Sequence, residues 1–233
     1  MAKELVITRD NLHLLSSLPP TLKELYCGNN NLTSLPPLPP TLEVLDCSGN
    51  NLESLPPLPS TLEALICTYN NLISLPPLPI TLKGIDCSDN NVDSLPSLPS
   101  TLETLYCYNN NLSSLPFLPS TLEGLYCSSN NLTSLPDLPS TLEGLYCDDN
   151  KLVTLPLLPL ILETLYCSGN KLPIWYYTST NKEIRQKQII EKLLLLRKKI
   201  ACRIIQRAWT RYWYYPNNEG ISRYATYMSY LDL

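Results

Sequence analysis

The chain has one histidine, His13, one phenylalanine, and only 7 glycines among 233 residues. Each scarcity closes a class of function. A lone histidine leaves no imidazole beside a nucleophile and no ligand set converging tetrahedrally on a metal. The few glycines form no phosphate-cradling loop. No paired carboxylates mark a catalytic cleft, so neither enzyme activity nor a cofactor is expected. No stretch of about 20 apolar residues could span a bilayer, and no transmembrane segment is expected. The opening "MAKELVITRDNLHLL" has charges scattered through it and resembles no secretion signal. An intracellular, reducing compartment is therefore expected.

Proline, by contrast, is abundant at 22, and cysteine recurs. Cys27, Cys47, Cys67, Cys87, Cys107, Cys127, Cys147 and Cys167 stand 20 residues apart, with only Cys202 out of step. A fixed period of this length marks a stacked repeat. The net charge of −4 conceals a split: residues 1–172 carry a net −11 and residues 173–233 a net +7. Two segments with different tasks, or with mutual attraction, are implied.

Aligned copies share the frame L-x-x-L-x-C-x-x-N-x-L-x-x-L-P-x-L-P-x-T. In the second copy these are Leu22, Leu25, Cys27, Asn30, Leu32, Leu35, Pro36, Leu38, Pro39 and Thr41. Leu25 and Cys27 alternate about Tyr26 as in a short strand with one face inward. Asn30 turns the chain, and stacked copies make an asparagine ladder through Asn50, Asn70, Asn90, Asn110, Asn130, Asn150 and Asn170. Asp10 stands in that slot in the first copy. The second half, "SLPPLPPTL", cannot be helix or central strand, because proline lacks the N–H that either would need. Polyproline II remains, and its three-residue turn points Leu35 and Leu38 to one side. One copy alone buries almost nothing; stacked copies bury a continuous Leu/Cys core. Cysteine then acts as a small hydrophobe. Disulfides between neighbouring strands about 4.8 Å apart would strain the stack, so reduced thiols are expected.

The frame resembles the leucine-rich repeat, and its twenty-residue "LPxLP" form resembles the repeats of bacterial effectors. The near-identical Cys-rich copies followed by a Trp/Tyr-rich tail are also similar to leucine-rich repeat proteins of amoeba-infecting giant viruses. The resemblance implies a mainly β α/β solenoid over residues 1–172, with parallel concave strands and polyproline II convex returns. Some bacterial relatives add a ubiquitin-ligase domain with a nucleophilic Cys followed closely by Asp. Cys202 in "IACRIIQRA" has no such Asp, so the resemblance does not extend to that activity. Repeat-like sequence begins by Leu5, with Ile7 in the cysteine slot.

Outward strand positions on the concave face read Val6, Tyr26, Asp46, Ile66, Asp86, Tyr106, Tyr126, Tyr146 and Tyr166. With Tyr108 and Asp148 just after the cysteines, the tyrosines and aspartates of this row are the candidate partner-binding residues. Tyr offers large contact area at low entropy cost. Small residues, Thr104, Gly124, Gly144 and Thr164, precede the four consecutive tyrosines by two positions and leave room beside the rings. Glu43, Glu63, Glu103, Glu123, Glu143 and Glu163 form an acidic column whose repulsion a basic partner would relieve. A non-enzymatic scaffold binding a basic protein on this face is expected.

Residues 173–233 read as a basic, aromatic-rich helical tail. Thr180 and Glu183 fit a capping box, and Pro216 ends the helix. A solenoid's open end needs a cover, and Trp175, Tyr176 and part of the helix are expected to supply it. The stretch "ACRIIQRAWTRYW" resembles an IQ motif, with Ile205, Gln206, Trp209 and Arg211 as candidates. This implies an alternative, an adaptor whose helix binds a calmodulin-like protein. Nucleic acid is not expected as a partner, because the acidic repeats repel phosphate.

Overall fold

The computed structural model describes residues 3–214; side chains at 197, 201, 202, 204, 205 and 207–214 lie outside the description. Pro216 and everything beyond it also lie outside. Two compact units divide at residue 184.

The first unit is a stack of twenty-residue turns. Each contributes a three-residue strand: β1 Glu4–Val6, β2 Glu24–Tyr26, β3 Val44–Asp46, β4 Ala64–Ile66, β5 Gly84–Asp86, β6 Thr104–Tyr106, β7 Gly124–Tyr126, β8 Gly144–Tyr146 and β9 Thr164–Tyr166. They form one parallel sheet in sequence order. The register is constant, so that Tyr106 lies beside Tyr126 and Tyr126 beside Tyr146. Strands this short are held by continuation of the ladder at both ends. Cys27 N–H donates to Asp46 O at 2.7 Å, and Glu43 N–H donates to Lys23 O at 2.7 Å.

The central strand residue and the cysteine point inward and are buried, as are Leu22 and its equivalents, except that Leu5 and Leu165 in the two end strands are only partly covered. The frame leucines of the convex return, such as Leu55, Leu75 and Leu135, close the core from the other side. One continuous hydrophobic cluster therefore runs from Ile7 to Ile184. Each fully buried leucine contributes about 1.5–3 kcal/mol. All eight described cysteines are free, buried thiols.

Backbone polar groups in the turn are satisfied by the asparagine ladder. Asn50 Nδ2 donates to Cys27 O, Cys47 O and Ser48 O at 2.9–3.2 Å, and its Oδ1 accepts Asn30 N–H and Leu32 N–H. One amide thus stitches two turns. The residue before each ladder asparagine is left-handed, which suits Gly49 (φ 62°), Asn109 (φ 51°) and Gly169 (φ 65°). Tyr69 holds φ 54° at the same place, a strain of about 1–2 kcal/mol. A second ladder lies on the opposite edge. Thr41 Oγ1 is 2.9 Å from Pro20 O and 2.8 Å from Leu22 O, sharing its proton between them. The contact repeats at Thr61, Thr81, Thr101, Thr121 and Thr141. Ile161, with no hydroxyl, takes this slot in the last copy.

The first copy departs from the pattern. Its return contains a 3-10 helix, Leu12–Ser17. Ser16 and Ser17 stand where Pro36 and Pro37 stand in the next copy, and proline would have denied the backbone the donors such a turn needs. Asp10 is exposed, and Asn11 closes this loop instead, accepting Thr8 N–H at 2.6 Å and donating to Val6 O at 2.9 Å.

After the last strand come α1, Trp175–Thr178, and α2, Asn181–Tyr214. Tyr176 and Ile184 are buried in the same cluster as the repeat leucines, and Trp175 packs against it. Asn181 Nδ2 donates to Leu162 O at 3.3 Å. Thr180 N–H donates to Glu183 Oε2 at 2.8 Å, and Thr180 Oγ1 accepts Glu183 N–H at 3.4 Å, a reciprocal capping box. In the second unit, Ile189, Leu193, Leu196 and Ile200 of α2 are exposed. No described helix is long and apolar enough to cross a membrane.

Candidate functional site

The outward strand residues fall into two stretches with different chemistry. From β2 to β5 the row is Tyr26, Asp46, Ile66 and Asp86, and its polar members serve their own loops. Tyr26 Oη donates to Glu24 Oε2 at 2.9 Å, and this bond to the carboxylate raises the phenol pKa. Asp46 Oδ1 accepts Ser48 N–H at 2.9 Å and Ser48 Oγ–H at 2.7 Å. Asp86 Oδ1 accepts Ser88 N–H at 3.0 Å. Tyr108, just after its cysteine, is pushed up in pKa by partial burial and then by Asp86 and Asp89.

From β6 to β9 the row is Tyr106, Tyr126, Tyr146 and Tyr166, and the rings form one stack. Centroids are 4.2, 4.5 and 5.1 Å apart, with interplanar angles of 14°, 14° and 18°. The spacing follows the separation of adjacent strands, about 4.8 Å. The sequence produces this geometry through the residue two positions earlier. A Cβ at Gly124 would stand 3.0 Å from Tyr126 Cε2, and one at Gly144 would stand 3.3 Å from Tyr146 Cε2. The Tyr126 and Tyr146 rings therefore lie back over their own glycines, where Tyr26 meets Glu24 instead. Burial, and then the neighbouring Tyr106 hydroxyl, raise the pKa of Tyr126.

Interior rings of this stack have both faces covered by neighbours. They present edges and hydroxyls outward. Tyr166, at the end, is 55% exposed. Beside the same four repeats Glu103, Glu123, Glu143 and Glu163 are all exposed. Earlier in that column cations are interspersed with acids: Lys23 pairs with Glu43, and Lys83 Nζ lies 2.7 Å from Glu63 Oε2. Asp148 bridges two turns, its Oδ1 accepting Ser168 N–H at 2.9 Å and Ser168 Oγ–H at 2.7 Å.

The structure thus brings Tyr106, Tyr126, Tyr146 and Tyr166 into one surface. It places Tyr26, Asp46 and Asp86 on the same sheet face but in local hydrogen bonds. Two features escaped the sequence reading: the threonine ladder, although Thr was in the frame, and the cavity beyond Tyr166. The IQ-like residues lie in α2; Gln206 is exposed, while the side chains of Ile205, Trp209 and Arg211 lie outside the description. Among the described residues no His, Cys, Asp and Glu side chains group so as to hold a metal ion.

A family model for leucine-rich repeats, in two copies, matches residues 20–60. No curated protein matches the chain significantly. Among solved structures, YopM from Yersinia enterocolitica is 44% identical over 68% of this chain, with a TM-score of 0.67. The match spans 35% of that YopM chain, about a third of its length. A Shigella effector leucine-rich repeat domain is 32% identical, covering 76% of this chain and 73% of the other, with a TM-score of 0.56. The functional domain of InlJ from Listeria monocytogenes, which includes a cysteine ladder, is 30% identical, covering 73% of this chain and 40% of the other, with a TM-score of 0.67. The twenty-residue turn, its ladders and these likenesses agree: the chain belongs to the leucine-rich repeat family.

Proposed function

We propose that the chain is a non-enzymatic scaffold that binds a basic protein on its strand face, through the Tyr106–Tyr166 stack. One observation carries this reading: the stacked rings and the unbroken run of glutamates occupy the same four repeats. Preformed aromatic rings cost little entropy to engage, and clustered carboxylates select cationic partners and speed their encounter. The scaffold works by surface presentation, with no bond made or broken. It operates in a reducing compartment, where the thiol column stays reduced. The segment from Trp175 to Ile184 closes the end of the repeat core.

The test is selection from a random peptide library displayed on phage, using the whole chain as bait. Enriched peptides are expected to carry net positive charge and to bind less tightly as salt is raised. Tyr126→Ala/Tyr146→Ala should weaken them by about tenfold to a hundredfold, the effect of losing two aromatic contacts. Acidic winners, or binding equal to the double variant, would remove the proposal. A second reading, the calmodulin-binding adaptor, is favoured by one observation: α2 is a continuous helix through all four IQ-like positions. It requires calcium-dependent capture of calmodulin by the full chain, and absence of capture at micromolar calmodulin ends it.

A further inference from the structure

Beyond β9 the surface dips into a cavity of about 320 Å³, lined among others by Asp148, Tyr166, Ser168, Tyr177, Asn181 and Ile184. None of its ten lining residues is cationic, and Asp148 is its one carboxylate. We infer that this cavity is a receptor for the guanidinium group of an arginine side chain, which stacks on Tyr166 and pairs with Asp148. The inference rests on the scaffold reading and names the anchor by which a basic partner is held.

Three features point to this chemistry. First, cation–π attraction needs an open ring face. Along the stack the inner faces are taken by neighbouring rings at 4.2–5.1 Å. Tyr166 has a stacked neighbour on one side only among the described residues, and it lines the cavity. Second, Asp148 Oδ1 is committed to Ser168, whereas Oδ2 has only a 3.5 Å contact with Ser128 Oγ. An acceptor oxygen with spare capacity therefore belongs to a cavity residue. Third, Tyr177 is 44% exposed and donates its hydroxyl proton to Asn170 O at 3.2 Å. That bond fixes the ring and leaves the phenol oxygen able to accept. A planar ion with donors along its edge uses all three features; an ammonium cannot stack flat on a ring in the same way.

The probe is N-acetyl-arginine amide, titrated into the full chain carrying carbon-13 tyrosine rings and followed by NMR. Tyr166→Phe and Tyr177→Phe assign the two signals. Saturable shifts at Tyr166 and Tyr177 are expected. N-acetyl-citrulline amide, equal in shape but neutral, should produce none, and N-acetyl-lysine amide should bind more weakly. Asp148→Asn should weaken the arginine probe by about tenfold, a typical loss for one charged partner. Because Asp148 also holds Ser168, Tyr177→Leu serves as a second variant outside the repeat ladders and should weaken the probe too. Equal responses to arginine and citrulline, unsaturating shifts, or binding that survives both substitutions would overturn the assignment. The broader reading fails separately. Basic peptides that lose affinity in Tyr126→Ala/Tyr146→Ala yet bind Asp148→Asn and Tyr177→Leu unchanged sink the cavity and spare the stack. Saturable arginine binding with no effect of the double variant on peptides does the reverse.

Discussion

Asn90→Ala is expected to destabilise the repeat stack by about 3–4 kcal/mol, because it strands several buried backbone groups at once. Asn90 Nδ2 donates to Cys67 O at 3.0 Å, Cys87 O at 3.1 Å and Ser88 O at 3.0 Å. Its Oδ1 accepts Leu72 N–H at 3.0 Å. Alanine offers none of these, and Leu72 is fully buried, so water cannot replace the acceptor. The loss falls at a junction between turns near the middle of the stack. Stability in such arrays is a sum of nearest-neighbour terms. Urea unfolding followed by circular dichroism should therefore show a lower midpoint and a shallower or split transition. A change under about 1 kcal/mol would mean that the ladder amide is dispensable. Asn90→Asp separates the two roles. It keeps an acceptor for Leu72 N–H but turns oxygen lone pairs toward carbonyls, and its deficit should shrink as the pH is lowered and the carboxyl gains a proton.

The second large effect is alkaline unfolding. Burial pushes the Cys27, Cys87 and Cys127 thiols from 9.0 up to about 12. Cys167, the least enclosed, rises to about 11. Burial also raises Cys47, Cys67, Cys107 and Cys147. A raised folded-state pKa contributes stability that is intact below the unfolded value. It is lost as the pH climbs from 9.0 toward the folded value. Each thiol then removes about 1.4 kcal/mol per pH unit. Over the first pH unit eight together remove about 11 kcal/mol, comparable to the roughly 5–15 kcal/mol that holds a domain folded, so cooperative unfolding is expected between about pH 10 and 11. A stack still folded at about pH 11.5 would contradict the buried-thiol account. The same burial protects against reagents. At neutral pH a shift from 9.0 to about 12 lowers the thiolate fraction about a thousandfold. In a Cys202→Ala variant, a thiol dye should leave the native chain unlabelled while the urea-unfolded chain reacts fully, with Cys167 first to react as urea rises. Rapid native labelling of most of the eight would refute the stacked core.

The repeat was legible because its chemistry recurs at one interval. A residue that must sit beside its own copy, such as Asn50 beside Asn30, repeats identically, and so the ladder and the cysteine column can be read directly. The first copy's 3-10 helix was less so, since Ser16 and Ser17 merely lift a prohibition and command no structure. Ring stacking lay between these cases. Small residues beside Tyr126 and Tyr146 announced space, but only the folded chain shows that these two rings lie over Gly124 and Gly144, at 14° to each other. Asp46 and Asp86 illustrate the opposite limit. Their sequence positions marked them as outward-facing, yet nothing in the row indicated that a serine two residues on would engage each carboxylate. The cavity beyond Tyr166 was invisible because Tyr177 lies outside the twenty-residue repeat that holds Asp148 and Tyr166.

The constant register has a consequence for how such a protein changes over generations. Because every strand meets its neighbour at the same offset, as Gly124 meets Gly144, a tandem duplication of residues 124–143 could be spliced in without disturbing any other turn. The row of rings would gain a fifth member. Unequal recombination between near-identical gene segments thus becomes a dial for contact length, adjusting partner reach in whole units while leaving the protein's architecture untouched.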